Sequence, residues 1–332
     1  MDDVDVDVLI AVKNAESFIE VAIDSILTQT FINLRIIVVY QDSIDSTWSI
    51  LQKLSEKDHR IVLVHCADNA DLVSSLNLGL SLANAKYIAR MDADDIATPN
   101  RIEVQVRFLE FFKEVAIVGS WAKTFGNKEE LWMMPERDED IRVQGLFSSM
   151  ILNPTAMFRR ELLNSHPPVE YRNQFRFGAE DFQFWYELSK KSKLHNIQQG
   201  LLFYRLHSQN YSAVKHQQNL TNTRVILADK IRELDSFVSS DELALHYSIA
   251  ESQCTDPASA KVWFKKLEYA NTQKRIYNHS SLLQKLDKEM LRIVARSHPV
   301  VSSNRIINYG NLRWIYKHIP PFMRRYIKRL LS

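Results

Sequence analysis

Residues 34–39, Leu-Arg-Ile-Ile-Val-Val, form a near-continuous run of apolar, mostly β-branched side chains. A run of this kind suits a strand buried on both faces, which a parallel sheet sandwiched between helices provides. Val6–Val12, Ile61–Val64, Tyr87–Met91 and Val115–Gly119 read as further strands. Helical periods lie between them. Ala15–Gln29 sets Phe18, Ile19, Ala22, Ile23, Ile26 and Leu27 on one stripe; Ser46–Leu54, Leu72–Ala83 and Pro99–Phe112 follow, the last with proline at its first position. Strand–helix alternation over the first 120 residues predicts an α/β domain with a mostly parallel sheet and helices on both faces.

The pattern loosens after Gly126. Polar stretches at 135–140 and 164–173 frame shorter apolar segments, and Ile197–Tyr204 reads as one more strand. From Lys215 the periods are helical: Asn222–Leu234, Ser240–Cys254, Pro257–Ala270 and Ser280–Ala295. The expected boundary is therefore residue 214, with 1–120 and 121–214 as two halves of the α/β domain and 215–332 as a helical region.

Several common chemistries are excluded. Seven glycines in 332 residues, none close together, leave no G-x-G-x-x-G turn, phosphate loop or G-x-S-x-G elbow. Two cysteines, Cys66 and Cys254, make neither a disulfide framework nor a cysteine zinc site. The opening MDDVDVDV lacks the basic and apolar regions of a secretory signal, and no apolar run approaches the ~20 residues of a membrane span. The expected location is cytosolic.

The clearest chemical feature stands where strand Tyr87–Met91 ends, in Asp92-Ala93-Asp94-Asp95. Ligands of open parallel sheets bind outside the carboxyl ends of the strands. Three carboxylates in four residues repel one another unless solvated or bridged by a cation, and hard oxygen ligands suit Mg²⁺ or Mn²⁺. The competing reading is a solvated acidic turn capping the helix at Pro99. A second acidic pair, Glu180-Asp181, stands at the start of FQFWYELSKK. Adjacent carboxylates raise one another's pKa, which suits a proton acceptor, while two acids at a helix start are also favoured by the dipole.

Taken in order, the blocks AVKNAESFIEVAIDSILTQTF (11–31), IIVVYQDSIDST (36–47), SSLNLGLSLANAKYIARMDADDIATPNRIEVQVRFL (74–109), VGSW (118–121), NPTAMFRR (153–160), GAEDFQFW (178–185) and FYRLHSQNYS (203–212) resemble family 2 glycosyltransferases. The resemblance covers roughly residues 4–212. It implies a GT-A fold, a Rossmann-like nucleotide-binding half followed by an acceptor half, that uses Mn²⁺ or Mg²⁺ to transfer a sugar with inversion from a nucleotide sugar, with a UDP-sugar expected. The acceptor implied is a glycan or lipid-linked saccharide of a cell-surface polysaccharide such as lipopolysaccharide, O-antigen or capsule. Carried over residue by residue, Asp92 contacts the nucleotide, Asp94 and His207 the metal, and Arg205 the diphosphate. Asp181 is the catalytic base, and Glu180 positions the acceptor. Trp185, one turn on, either stacks on an acceptor sugar or belongs to the core. The first block departs from the family. Ala11, Lys13 and Asn14 stand where P-x-Y/F-N is usual, and Tyr40 replaces the usual base-contacting aspartate. Lys13 is then expected to meet phosphate and Tyr40 to stack on or hydrogen-bond a base.

The formal net charge of +2 hides an asymmetry, since residues 290–332 carry nine Lys or Arg and no acid. Trp314, Tyr316, Phe322 and Tyr326 stand among those cations, a mixture that suits an anionic membrane surface at the inner face of the cell membrane. A solvated terminal helix is the plain alternative, and the acidic remainder argues against a nucleic-acid partner. Two other readings stay open: a GT-A domain that binds glycan or a partner without catalysis, motivated by Tyr40 and Lys13, and a nucleotidyltransferase, which would want a glycine- and basic-rich first loop.

Overall fold

The computed structural model describes residues 4–66, 70–164, 166, 168–207, 210 and 214–297. The chain divides into two compact units, Met1–Leu227 and Ala228–Ser332. Most of the basic segment, 298–332, lies outside the described residues, and so do Trp314, Tyr316, Phe322 and Tyr326.

In the first unit the expected strands and helices alternate as β1 (Val6–Val12), α1 (Ile19–Leu27), β2 (Leu34–Tyr40), α2 (Thr47–Lys57), β3 (Ile61–His65), α3 (Leu72–Leu82) and β4 (Tyr87–Met91). β5 (Ile96–Ala97), α4 (Arg101–Phe111), β6 (Val115–Gly126), β7 (Leu131–Trp132), α5 (Asp138–Gln144), β8 (Met157–Arg159), α6 (Glu180–Ser189) and β9 (Lys193–Leu206) complete it. The sheet order is β3-β2-β1-β4-β8-β6-β9-β5, with β7 added to β6. β3, β2, β1 and β4 run parallel, as the apolar runs require, whereas β8 pairs antiparallel with both β4 and β6. The sheet is thus mixed: β3-β2-β1-β4 form one parallel block, β6 and β9 pair parallel in a second, and β8 runs antiparallel between them. β8 is three residues long and has no period of its own, so its direction is a tertiary choice.

Helices seat closely on the parallel strands. At Gly79 of α3 even a methyl group would stand 2.1 Å from the Leu9 side chain, so the glycine permits the approach to β1. One charge lies inside β1. Asp7 is fully buried and accepts from Arg35 Nε at 2.7 Å and from the Asn84 and Ala85 N–H groups at 2.8 and 2.9 Å. It therefore ties β1 to β2 and to the turn before β4. The polar stretch at 135–140 turns out to start a helix, α5, whose first turn holds Asp138, Glu139 and Asp140 where the dipole favours negative charge.

α7 (His216–Leu234) contains the division between the units. The second unit continues with α8 (Ser240–Ala250), α9 (Pro257–Lys274) and α10 (His279–Ser297). Their starts are written locally: a capping box between Ser239 and Glu242 for α8, and an Asp256 cap followed by Pro257 for α9. Inside, the Trp263 indole N–H donates to His246 Nδ1 at 3.1 Å, so a buried pair satisfies itself. Among the described residues no helix is long and apolar enough to cross a membrane.

Candidate active site

Register brings the chemistry to one edge. Ile10 of β1 pairs with Met91 of β4, and Val12 pairs with Tyr40 of β2, so the loops after all three strands leave the sheet side by side. The first two loops clip together. Asn14, at φ +49°, accepts the Ile44 N–H at 3.0 Å, and its own N–H donates to Ser43 Oγ at 2.9 Å. Asn14 thus shapes the loop, with exposed Lys13 beside it and Ala11 on the strand opposite Val39. The Tyr40 ring is buried near Trp48 and His65, and its hydroxyl accepts the Ser43 N–H at 3.0 Å. A ring so enclosed does not offer a face for a base, although the O–H can still donate. The exposed carboxylate here is Asp42, 2.8 Å from His65 Nε2.

At the end of β4 the three aspartates each have a different environment. Asp92 accepts from Arg90 Nη2 at 2.8 Å. Asp94 Oδ2 lies 2.9 Å from His207 Nε2 and accepts from Asn210 Nδ2 at 3.2 Å. Asp95 is buried; one oxygen accepts the Arg205 N–H at 2.9 Å, and the other has no partner among the described residues. One oxygen from each carboxylate falls within 4.8 Å of the others. Burial holds the Asp92 carboxyl above its usual range against the pull of Arg90, and burial plus the neighbouring Asp92 and Asp94 charges push Asp95 well above it. Hard oxygens crowded in this way, one of them buried and unpaired, fit a divalent cation.

Two buried arginines support the turn. Arg90 donates to the Leu9 and Met91 carbonyls as well as to Asp92. Arg101, fully buried at the start of α4, donates to the Arg90 carbonyl at 2.7 Å. Burial pulls the Arg101 pKa down to about 10, with the Asp95 and Asp92 charges opposing that fall. Neither arginine is singled out by sequence, because helical and strand periods do not say which polar residue turns inward.

β9 returns to the same place. Arg205 Nε donates to the Asp94 carbonyl at 2.8 Å, and its guanidinium lies over the Phe18 and Phe125 rings. The His207 ring also packs on Phe18, with centroids 5.0 Å apart.

Glu180 and Asp181 open α6 through an unusual turn. Gly178 has φ +133° and Ala179 φ +61°, and the Gly178 carbonyl accepts from buried Asn222 Nδ2 at 2.7 Å. Asp181 Oδ1 accepts the Phe182 N–H at 2.7 Å. Burial pushes Asp181 up to about 6 against the Phe182 hydrogen bond, and the Asp92 charge adds to the rise. Burial and the adjacent Asp181 push Glu180 up to about 8. The acidic turn of β4 and the start of α6 therefore face one another electrostatically. Trp185 does not join them. It is fully buried, 5.7 Å from Phe158 and 5.0 Å from Phe184, so it is a core residue and stacks on no acceptor.

The sequence model of the family described as "Glycosyl transferase family 2" matches residues 7–166. A protein of Haemophilus influenzae named as an uncharacterized glycosyltransferase is 36% identical, over 66% of this chain and 71% of its own. The Escherichia coli UDP-Glc:alpha-D-GlcNAc-diphosphoundecaprenol beta-1,3-glucosyltransferase WfaP is 27% identical, over 67% of this chain and 85% of its own. Among solved structures, the Pyrobaculum calidifontis mannosyltransferase PcManGT in complex with GDP-Man and Mn²⁺ superposes with a TM-score of 0.54 at 17% identity, over 88% of this chain and 86% of its own. That likeness shows a GT-A fold, and the extent of the Haemophilus match makes this chain a member of glycosyl transferase family 2, and so a glycosyltransferase.

Proposed function

We propose that the protein is a divalent-metal-dependent, inverting glycosyltransferase that moves a hexose or N-acetylhexosamine from a UDP-sugar to a glycan or lipid-linked saccharide in cell-surface polysaccharide assembly. The observation that carries this reading is the meeting of two acidic ends. The oxygens of Asp92, Asp94 and Asp95 crowd within 4.8 Å of one another, and the Asp92 charge adds to the rise of Asp181, which supports assigning the metal-bound diphosphate and the proton acceptor to one site.

In this reading Asp94 and His207 hold Mn²⁺ or Mg²⁺, and Asp92 and Arg205 face the nucleotide diphosphate. The cation supplies charge stabilisation of the leaving diphosphate. Asp181, raised toward neutrality by burial, takes the proton of the acceptor hydroxyl, while Glu180 positions that hydroxyl. Alignment of acceptor and donor supplies much of the remainder. Support for the nucleotide and acceptor classes comes from the name of the Escherichia coli relative, a UDP-Glc-dependent enzyme acting on a diphosphoundecaprenol-linked sugar, and support for the metal from the Mn²⁺ in the Pyrobaculum structure. With a lipid-linked acceptor, work at the inner face of the membrane follows, and the basic segment 290–332 is the part suited to anionic lipid.

The test is donor hydrolysis. UDP-glucose, UDP-galactose, UDP-GlcNAc and GDP-mannose are incubated with the protein and Mn²⁺, and free nucleoside diphosphate is measured. Turnover of a UDP-sugar that excess EDTA abolishes supports the proposal. Turnover of GDP-mannose alone moves the base, and turnover of none of the four favours a domain that binds without catalysis.

A further inference from the structure

The turn before α6 carries a group of exposed side chains that the reading above does not use. Phe177 is 41% exposed and stands three residues before buried Glu180. Two cations from separate segments converge on its ring. The Arg176 guanidinium lies 4.7 Å from the ring centroid, and Lys215 Nζ, which arrives from the chain just before α7, lies 5.6 Å from it. Arg176 and Lys215 are both exposed, and Val214 beside Lys215 is 64% exposed. Lys215 makes no ion pair among the described residues.

The start of α7 ties this group to the acidic pair. Asn222 Nδ2 donates to the Gly178 carbonyl at 2.7 Å. Asn219 packs so closely on the turn that a methyl group at Gly178 would stand 2.8 Å from its Cα. The Asn219 N–H in turn donates to the Lys215 carbonyl at 2.9 Å. The segment bearing Lys215 and the turn bearing Phe177 are therefore anchored to one another, with Glu180 and Asp181 directly behind them in the chain.

Cation and apolar surface thus share the outer side of a turn whose inner side is carboxylate. Two cations gathered on one ring repel each other, and a phosphate group between them removes that repulsion. Arginine offers phosphate oxygens a planar fork and lysine a point charge. A neutral saccharide uses neither. A saccharide joined through phosphate to a lipid presents, outward from the reacting sugar, first negative charge and then an apolar chain. The nucleotide's own diphosphate is assigned elsewhere, to Arg205 and the turn after β4.

We infer that Arg176, Phe177 and Lys215 form an acceptor subsite that binds the phosphate joining the acceptor saccharide to its lipid. The inference rests on the proposed roles of Glu180 and Asp181, and it narrows the acceptor from any glycan to a phosphate-linked one. A phospholipid headgroup offers the same chemistry, and the experiment separates the two sources.

Binding is measured by calorimetry in saturating UDP and Mn²⁺ with two probes: GlcNAc α-diphosphate carrying a decyl chain, and decyl GlcNAc, which lacks the diphosphate. The unmutated protein should bind the diphosphate probe about 10-fold or more tighter than decyl GlcNAc. Lys215→Met and Arg176→Met, both at exposed positions, should each lose about 10-fold on the diphosphate probe and nothing on decyl GlcNAc, while Lys215→Arg stays near the unmutated value. Equal affinity of the unmutated protein for the two probes, absence of binding included, overturns the inference. So does an unchanged affinity of Lys215→Met for the diphosphate probe. Sedimentation with phosphatidylglycerol vesicles should be the same for Lys215→Met as for the unmutated protein; a loss there with intact probe binding assigns the cations to a headgroup and overturns the acceptor subsite. Donor hydrolysis by the unmutated protein, run alongside, keeps the two readings apart. Hydrolysis with equal probe affinities removes the subsite alone, whereas preference for the diphosphate probe without hydrolysis of any donor keeps the subsite and removes the catalytic reading.

Discussion

His207 Nε2 lies 2.9 Å from Asp94 Oδ2, a contact that spans 113 residues of sequence. It joins the end of the last strand of the sheet to the acidic turn after the fourth, and Asn210 reaches the same carboxylate oxygen. A second link, from the Arg205 N–H to Asp95, runs parallel to it. Two buried or half-buried acids are thus held by groups that arrive from the far end of the domain, and the pairing fixes the position of the acidic turn.

Asp94→Asn keeps the shape of this contact and removes a charge. Mn²⁺-dependent donor turnover should fall ~100-fold or more, and excess EDTA should have the same effect on the unmutated protein. Full turnover in EDTA removes the metal from the mechanism.

Asp181→Asn leaves α6 and its first turn intact but removes the proton acceptor. Transfer should fall by ~10²-fold or more while nucleoside diphosphate binding stays near its original strength. Measuring both separates chemistry from donor binding. Wild-type-like transfer would shift the role of base to Glu180.

The pH dependence has two parts with opposite signs. A base must be deprotonated, so transfer should decline as pH falls through about 6, where Asp181 takes up its proton. For stability, Glu180 binds its proton more tightly folded, at about 8, than unfolded, at 4.5. Its contribution is therefore complete below the unfolded value and is lost as pH rises through about 8. Glu180→Gln should raise the unfolding temperature relative to the unmutated protein on the alkaline side of that range. An unchanged or lower temperature there would show that Glu180 is not held protonated.

Gly178→Ala tests the turn before α6. An added methyl group would stand 2.8 Å from the Asn219 backbone, at a φ of +133° that side chains rarely adopt. The strain, about 1–3 kcal/mol, should displace the turn that presents Glu180 and Asp181. Transfer should suffer with little change in nucleotide affinity, which calorimetry and a coupled assay would read separately.

Asp7→Ala probes the fold away from the chemistry. It strands the buried Ala85 N–H and removes the partner of Arg35, so a loss of about 3 kcal/mol is expected in denaturant unfolding. A change within 0.5 kcal/mol, the range of ordinary surface substitutions, would mean that water replaces the carboxylate there.

The strands β1, β2 and β4 and the helices α1–α3 were legible in the sequence because each obeys a local rule, an apolar run or a 3.6-residue stripe, and because their caps and breakers lie within a few residues. The acidic turn at Asp92–Asp95 and the pair Glu180-Asp181 were legible for a related reason: carboxylates adjacent in sequence stay adjacent in space whatever the fold. Tertiary structure decided the rest. β8 runs antiparallel because β4 and β6 receive it from either side, not because three residues prefer that direction. Trp185 and Tyr171 are both aromatics near Glu180, and both pack on Phe184 in the core, which no local pattern announces. Arg90 and Arg101 are polar residues in apolar surroundings whose inward turn no period reveals. Local patterning constrains which face of an element is buried; which side chains meet there depends on contacts between residues 50 or 113 positions apart, and these form only when the chain closes on itself.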